Sequence, residues 1–72
     1  YQVPDAGRVR LVVYNILGQR VRTLVDSPVA AGFYRATWDG RDESGRPVSS
    51  GLYLYRMEAG KFSQVHKMLL LK

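Results

Sequence analysis

The stretch Arg8-Val9-Arg10-Leu11-Val12-Val13-Tyr14-Asn15 decides the fold. Val9, Leu11 and Val13 fall on one side of an extended chain and Arg8 and Arg10 on the other, the period-two pattern of a strand with one buried face. Upstream, Pro4-Asp5-Ala6-Gly7 is a turn, with Pro fixing φ and Gly accepting positive φ. Before it, the chain opens at Tyr1 inside a strand pattern, Tyr1-Gln2-Val3, and reads as a piece of a longer precursor. Downstream, Leu17-Gly18-Gln19 breaks the strand. Leu17, Val21, Leu24 and Val25 then fall at helical spacing. Against a helix, Gly18 would sit in its first turn, and Val and Thr are weak helix formers. A strand over residues 20–25 with a bulge near Leu24 is the better reading.

Further out, Asp26-Ser27-Pro28 and Ala31-Gly32 bound a connection. Residues 33–38 (FYRATW) alternate again, with Tyr34, Ala36 and Trp38 on one face. Residues 39–47 are loop by composition, rich in Gly, Pro and acids. Residues 52–59 (LYLYRMEA) place Tyr53, Tyr55 and Met57 on one face, Ala59-Gly60-Lys61 is a tight turn, and residues 62–71 form the last strand. Short strands separated by frequent turn signals read as an all-β sandwich or barrel.

The 72 residues make one small domain, residues 1–72. A chain this short buries only about 60% of the surface its unfolded form exposes, which leaves little stability in reserve. There is no cysteine to form a disulfide, and a single His without Cys cannot supply a structural zinc site. No apolar run approaches the roughly 20 residues of a membrane-spanning helix. Eleven Lys and Arg against six Asp and Glu give a net charge of +5, which attracts anions of several kinds. Eight of the eleven are Arg, which favours bidentate contacts to phosphate or carboxylate.

Candidate chemistry is sparse. A nucleophilic site needs a base beside Ser, Thr or Cys, and the one His, His66, lies beside Lys67 in a strand that reads as surface. Paired carboxylates for glycoside hydrolysis need one acid in an apolar pocket, whereas Asp5, Asp26, Asp39, Asp42, Glu43 and Glu58 fall almost entirely in turns. The run from Asp39 to Gly45 superficially resembles a calcium loop, but its acids miss the alternating positions such a loop requires. Asp side chains capping nearby backbone N–H groups explain it better. We therefore expect no catalysis, no metal and no cofactor. Arg8, Arg10, Arg20 and Arg22 would gather on one face if their strands pair, giving either a solvated surface or a patch for an acidic polysaccharide or lipopolysaccharide. Nucleic acid is disfavoured, because single-strand binders expose aromatics beside their cations. Here Tyr34, Trp38, Tyr53 and Tyr55 fall on faces that read as core, with a stacked sugar platform as the competing role.

The string from Val13-Tyr14-Asn15 through Gly18 and Val21 to Leu24 carries a resemblance to a known family. So do Ala31-Gly32, Trp38-Asp39-Gly40-Arg41-Asp42, Gly45, Val48, Ser50-Gly51, Tyr53 and Tyr55. Together they resemble the Ig-like domain first known from the flagellar hook-capping protein, which recurs as the C-terminal type IX secretion (Por) sorting domain. The resemblance covers nearly the whole chain. It implies an Ig-like, fibronectin III-like antiparallel β-sandwich of about seven short strands. Family members carry a preceding "Y-P-N-P-F-N" strand, so the sheet is either short of its first strand or leaves it on the precursor. Gly18, Gly32, Gly45 and Gly51 stand where the chain must turn, and Trp38 would supply the largest core side chain.

The resemblance implies no catalysis. In the sorting branch the domain is an address on a secreted or cell-surface protein, reached through the periplasm. An outer-membrane translocon reads it and a sortase-like protease often removes it. The finish Lys67-Met68-Leu69-Leu70-Leu71-Lys72 is the natural part to be read. Two rivals stand beside this reading. One is a structural or hook-cap scaffold domain that self-associates through an open sheet edge by strand exchange. The other is a carbohydrate-binding module.

Overall fold

A computed structural model describes residues 1–71, so Lys72 lies outside the described residues. Six strands appear in the order β1 Gln2–Val3, β2 Gly7–Asn15, β3 Arg20–Val29, β4 Gly32–Phe33, β5 Gly51–Ala59 and β6 Phe62–Leu70. They form two antiparallel sheets, a four-stranded one in the order β3-β2-β5-β6 and a two-stranded one of β1 and β4. The architecture is the expected all-β sandwich, with six strands in place of about seven.

The central strand β2 sets the core. Val9, Leu11 and Val13 are 0%, 5% and 0% exposed, while Arg8 and Arg10 on the other face are exposed. Val3, Val9, Leu11 and Met57 form the buried cluster, with Leu24, Val25, Tyr34, Ala36 and Tyr55 packed around it. Tyr53, Tyr55 and Met57 face this core from β5, opposite Asn15, Val13 and Leu11.

The ambiguous segment is a strand. Leu11 pairs with Val25 and Val12 with Thr23, so Leu24 is the extra residue of a bulge at the expected position. A second shift makes Val21 an extra residue as well, since Val13 pairs with Arg22 and Tyr14 with Arg20. The expectation that Asp26-Ser27-Pro28 bounds a connection is corrected: β3 runs through all three to Val29. Pro28 reads as a breaker, yet β3 is an edge strand, where a missing N–H can face solvent without cost to the ladder.

Two local turns fix the hairpins. Between β2 and β3, Asn15 Oδ1 accepts from the N–H groups of Leu17 and Gln19, both at 3.0 Å, and its Nδ2 donates to Gln19 Oε1 at 2.8 Å. Gly18 closes that turn at φ 80°, a left-handed conformation that costs a residue with a Cβ. Between β5 and β6, Ala59 pairs with Phe62 across Gly60 and Lys61, and Gly60 takes φ 61° at the first central position. Positive φ there and not at Lys61 is the type II′ arrangement, whose twist suits a hairpin. Gly32, Gly45 and Gly51 also take positive φ, as their spacing suggests.

The second layer is thinner than expected. The strand read over residues 33–38 ends at Phe33. Residues 34–38 keep the alternation, with Tyr34, Ala36 and Trp38 half-buried and Arg35 and Thr37 exposed, but past the mutual backbone pair of Tyr34 with Tyr1 no ladder partner among the described residues lies beside them. Burial pattern reports which face a side chain takes; it does not report whether the backbone has a neighbour. Trp38 is likewise half-buried. It packs edge-on against Tyr53 with centroids 5.1 Å apart and donates Nε1–H to Arg41 O at 2.9 Å. It therefore lies at the rim of the core, and Leu11 and Met57 occupy the middle.

This placement ranks two substitutions. Leu11→Ala should cost about 2–5 kcal/mol, and Trp38→Ala roughly half of the about 3–5 kcal/mol that a fully buried Trp costs. Against a total stability on the order of 5 kcal/mol, urea denaturation should leave Leu11→Ala barely folded and Trp38→Ala clearly folded. The reverse order would place the packing centre at Trp38.

Candidate functional site

The four arginines do not gather. The antiparallel register sets Arg8 opposite Pro28 and Arg10 opposite Asp26, whereas Arg22 lies opposite Val13 and Arg20 opposite Tyr14. The two pairs thus stand at different ends of the hairpin, about 3.4 Å apart per intervening residue. Bulging splits them further, because Arg22 shares the inner side with Val13 while Arg20 shares the outer side with Tyr14. Arg8 meets Asp26 at 2.8 Å and Arg22 meets Asp39 at 2.9 Å. The single basic patch read from alternation is corrected: it assumed an unshifted register with all four on one face.

The acidic loop is built as a set of turns. Asp39 Oδ1 accepts from Arg22 and from the Arg41 N–H at 3.1 Å. Asp42 Oδ1 accepts from the N–H groups of Ser44 and Arg46 at 2.9 and 3.0 Å. Glu43 accepts from the N–H of Thr23, which ties the loop to β3. Backbone bonds from Asp42 N–H to Arg46 O and from Val48 N–H to Gly40 O close a small hairpin. Asp39 and Asp42 therefore hold the backbone, as the capping reading expects. Gly40 is buried beneath this loop, where a Cβ would meet Leu70 at 3.6 Å.

The aromatics line a groove of about 600 Å³ between the layers. Tyr34, Ala36 and Trp38 form one wall, and Tyr55, His66 and Met68 the other. Tyr34 stacks on Tyr1 at 5.7 Å and Tyr55 stacks on His66 at 5.2 Å, so these rings are engaged in packing. Two hydroxyls act as local ties: Tyr53 donates to Ser49 O at 2.7 Å and Tyr34 donates to Ala30 O. His66 is exposed on the β6 edge and meets Gln64 Oε1 at 3.2 Å. No Ser, Thr or carboxylate is bonded to it in these contacts.

The outer face of β6 is the other conspicuous surface. Lys67, Leu69 and Leu71 are exposed, Leu69 at 65% and Leu71 at 78%, while Met68 and Leu70 on the inner side are half-buried. Leu69 pairs with Leu52, itself 43% exposed, and Lys67 with Leu54. Sequence reasoning picked out the end of this strand through the family resemblance, as the part of a sorting domain that would be read. The groove itself has no signal in an alternating pattern, although the resemblance already implied a sheet short of its first strand.

The family model described as FlgD Ig-like domain matches residues 2–62. This chain belongs to that family of Ig-like domains. The match reaches from β1 through β5, so nearly all of β6 lies beyond it. No curated protein matches the chain, and no solved structure does.

The signature residues of the loop and hairpin should behave as structural ties. Asn15→Ala and Asp42→Ala should each lower stability by about 1–2 kcal/mol, since each strands backbone donors that a side-chain oxygen now satisfies. Millimolar calcium should leave the wild-type melting temperature unchanged. A calcium-dependent rise that Asp42→Ala abolishes would show the loop to be a cation site after all.

Proposed function

We propose that this FlgD-type Ig-like domain is a non-catalytic accessory domain whose last strand is an export address, recognised by a secretion translocon and open to removal by a sortase-like protease. The observation that carries the reading is the state of β6. It stands at the edge of the four-stranded sheet, and Lys67 and Leu69 on its outer face, with Leu71 just past its end, are open to solvent. An edge strand presents a free row of backbone donors and acceptors that another protein can pair with. Exposed leucines beside that row add apolar contact at the same place.

The two edges are not equivalent, which supports giving the role to β6. The β3 edge carries Pro28 and two bulges, both of which discourage pairing. The register of β6 on β5 runs unshifted from Phe62 to Leu70. On this reading the partners are the translocon and the protease, and the protein that bears the domain is secreted or held at the cell surface by way of the periplasm.

A reporter fusion tests it. Residues 1–72 fused to a periplasmic reporter should be exported in a host with type IX secretion. Leu69→Asp with Leu71→Asp should reduce export about tenfold or more, because charge replaces apolar contact at the read surface. These side chains face solvent, so circular dichroism should report the same folded domain. Full export of the doubly substituted, folded fusion would remove the address from β6.

A further inference from the structure

The end of the four-stranded sheet where β2 and β6 finish and β3 and β5 begin is apolar at its tip. Ile16 and Leu17, in the turn between β2 and β3, are 68% and 78% exposed. Leu52 and Leu69 pair across β5 and β6 at the same end, and both are exposed. Bare aliphatic side chains gathered in one place mark a contact surface more often than singly scattered ones do. All four belong to the turn and strands of the four-stranded sheet and none to the β1–β4 layer.

One step in from this tip, a single row crosses all four strands. Arg20 pairs with Tyr14, Tyr14 with Leu54, and Leu54 with Lys67. Directly paired residues share a face, so the row reads cation, aromatic, aliphatic, cation, with each cation on an edge strand. Arg20 and Lys67 are exposed, and among the described residues neither side chain makes an ion pair or hydrogen bond. Leu52 and Leu69 stand on the same face two residues nearer the tip, about 7 Å away. We propose that this end of the domain rests on an anionic lipid surface, with Ile16, Leu17, Leu52 and Leu69 entering the boundary between headgroups and acyl chains and Arg20 and Lys67 meeting the phosphates.

The spacing and the charge both point to lipid. Interfacial segments bury their apolar side about 5–10 Å deep, so cations set about 7 Å behind the leucines reach the headgroup level. Their long stems can lie along the apolar residues while the charged ends stay at the phosphates. Side chains that project from a turn and from strand ends suit a deformable surface better than a rigid pocket. The acidic loop reaches the same end from the inner layer, but Asp39 meets Arg22, and Asp42 and Glu43 accept from backbone N–H groups. A second copy suits the tip poorly. The acids on this face, Asp26 and Glu58, lie toward the opposite end and already meet Arg8 and Arg56, so two tips would set cations against cations. The inference stands apart from the export role of β6, since Ile16, Leu17 and Arg20 lie outside that strand.

The probe is a set of vesicles, one of phosphatidylglycerol and phosphatidylcholine in equal parts and one of phosphatidylcholine alone. The chain should sediment with the first and stay in solution with the second. Ile16→Ser with Leu17→Ser should weaken binding about tenfold or more, as should Arg20→Glu with Lys67→Glu. All four positions are exposed, so circular dichroism should report the same fold. The chain has no cysteine, so Leu17→Cys and Lys61→Cys each give one site for an environment-sensitive fluorophore. The label at position 17 should shift to the blue on the anionic vesicles, and the label at position 61, at the far end of the sheet, should not. Absence of binding, equal binding to both vesicles, binding that ignores the substitutions, or an equal shift at both labels would overturn the proposal. So would a concentration-dependent dimer that shifts the position 17 label without vesicles.

Discussion

Everything in this domain hangs on β2, which is zipped on both sides and buried along one face, with Val12 covered on the other. Val9, Leu11 and Val13 are sealed between the four-stranded sheet and the thin layer above it. Val3 from β1 and Met57 from β5 close over the same residues. In so short a chain, no second core compensates if that contact is lost. The peripheral devices serve it by fixing what lies beside β2: the Asn15 turn sets where β3 begins, and the bulge at Leu24 returns Val25 to the inner side opposite Leu11. A one-residue slip would exchange the buried and solvent faces of β3, so the bulges belong to the register and are not faults in it.

Above that sheet the second layer is short among the described residues, a thin cover over a long ladder. Pairing in the two-stranded sheet covers only Gln2 with Phe33 and Val3 with Gly32. What continues beyond it keeps a strand's facing without a strand's neighbour. Two margins of the described residues differ in kind. One is the long, regular margin of β6, bordered by leucines; the other is the short margin beside Ala36 and Trp38, bordered by a groove.

Much of this was legible in the residues themselves. The alternation of Val9, Leu11 and Val13 gave the buried face, and the break in alternation near Leu24 gave the bulge, because a bulge is a break in period two. Leu17-Gly18-Gln19 announced the end of β2 for a similarly local reason, while the turn-capping role of Asn15 emerged only from the structure. Pro28 misled, since proline reads as a terminator unless the strand is known to lie at an edge, and edge position is a property of the whole sheet. Arg8, Arg10, Arg20 and Arg22 misled for a related reason: their faces depend on a register that two bulges shift. Trp38 was placed on the correct side but too deep. Size and facing are written in the sequence, whereas depth depends on what covers the residue.

The order of the strands along the chain also bears on how quickly the sheet can assemble. The β2–β3 and β5–β6 hairpins close across turns of a few residues each, events that take about 1–10 μs in isolation. Joining β2 to β5 is different, for Asn15 pairs with Tyr53 across all of β3, β4 and the acidic loop. That central ladder carries the loop-closure entropy, and its formation is the step that topology slows. The small hairpin tied by Asp42 and anchored through Glu43 to Thr23 shortens the free chain between the two halves. A loop tied by side-chain caps thereby bears on assembly as well as on the finished sheet, because a shorter free chain between the two hairpins lowers the closure entropy that the β2–β5 ladder carries.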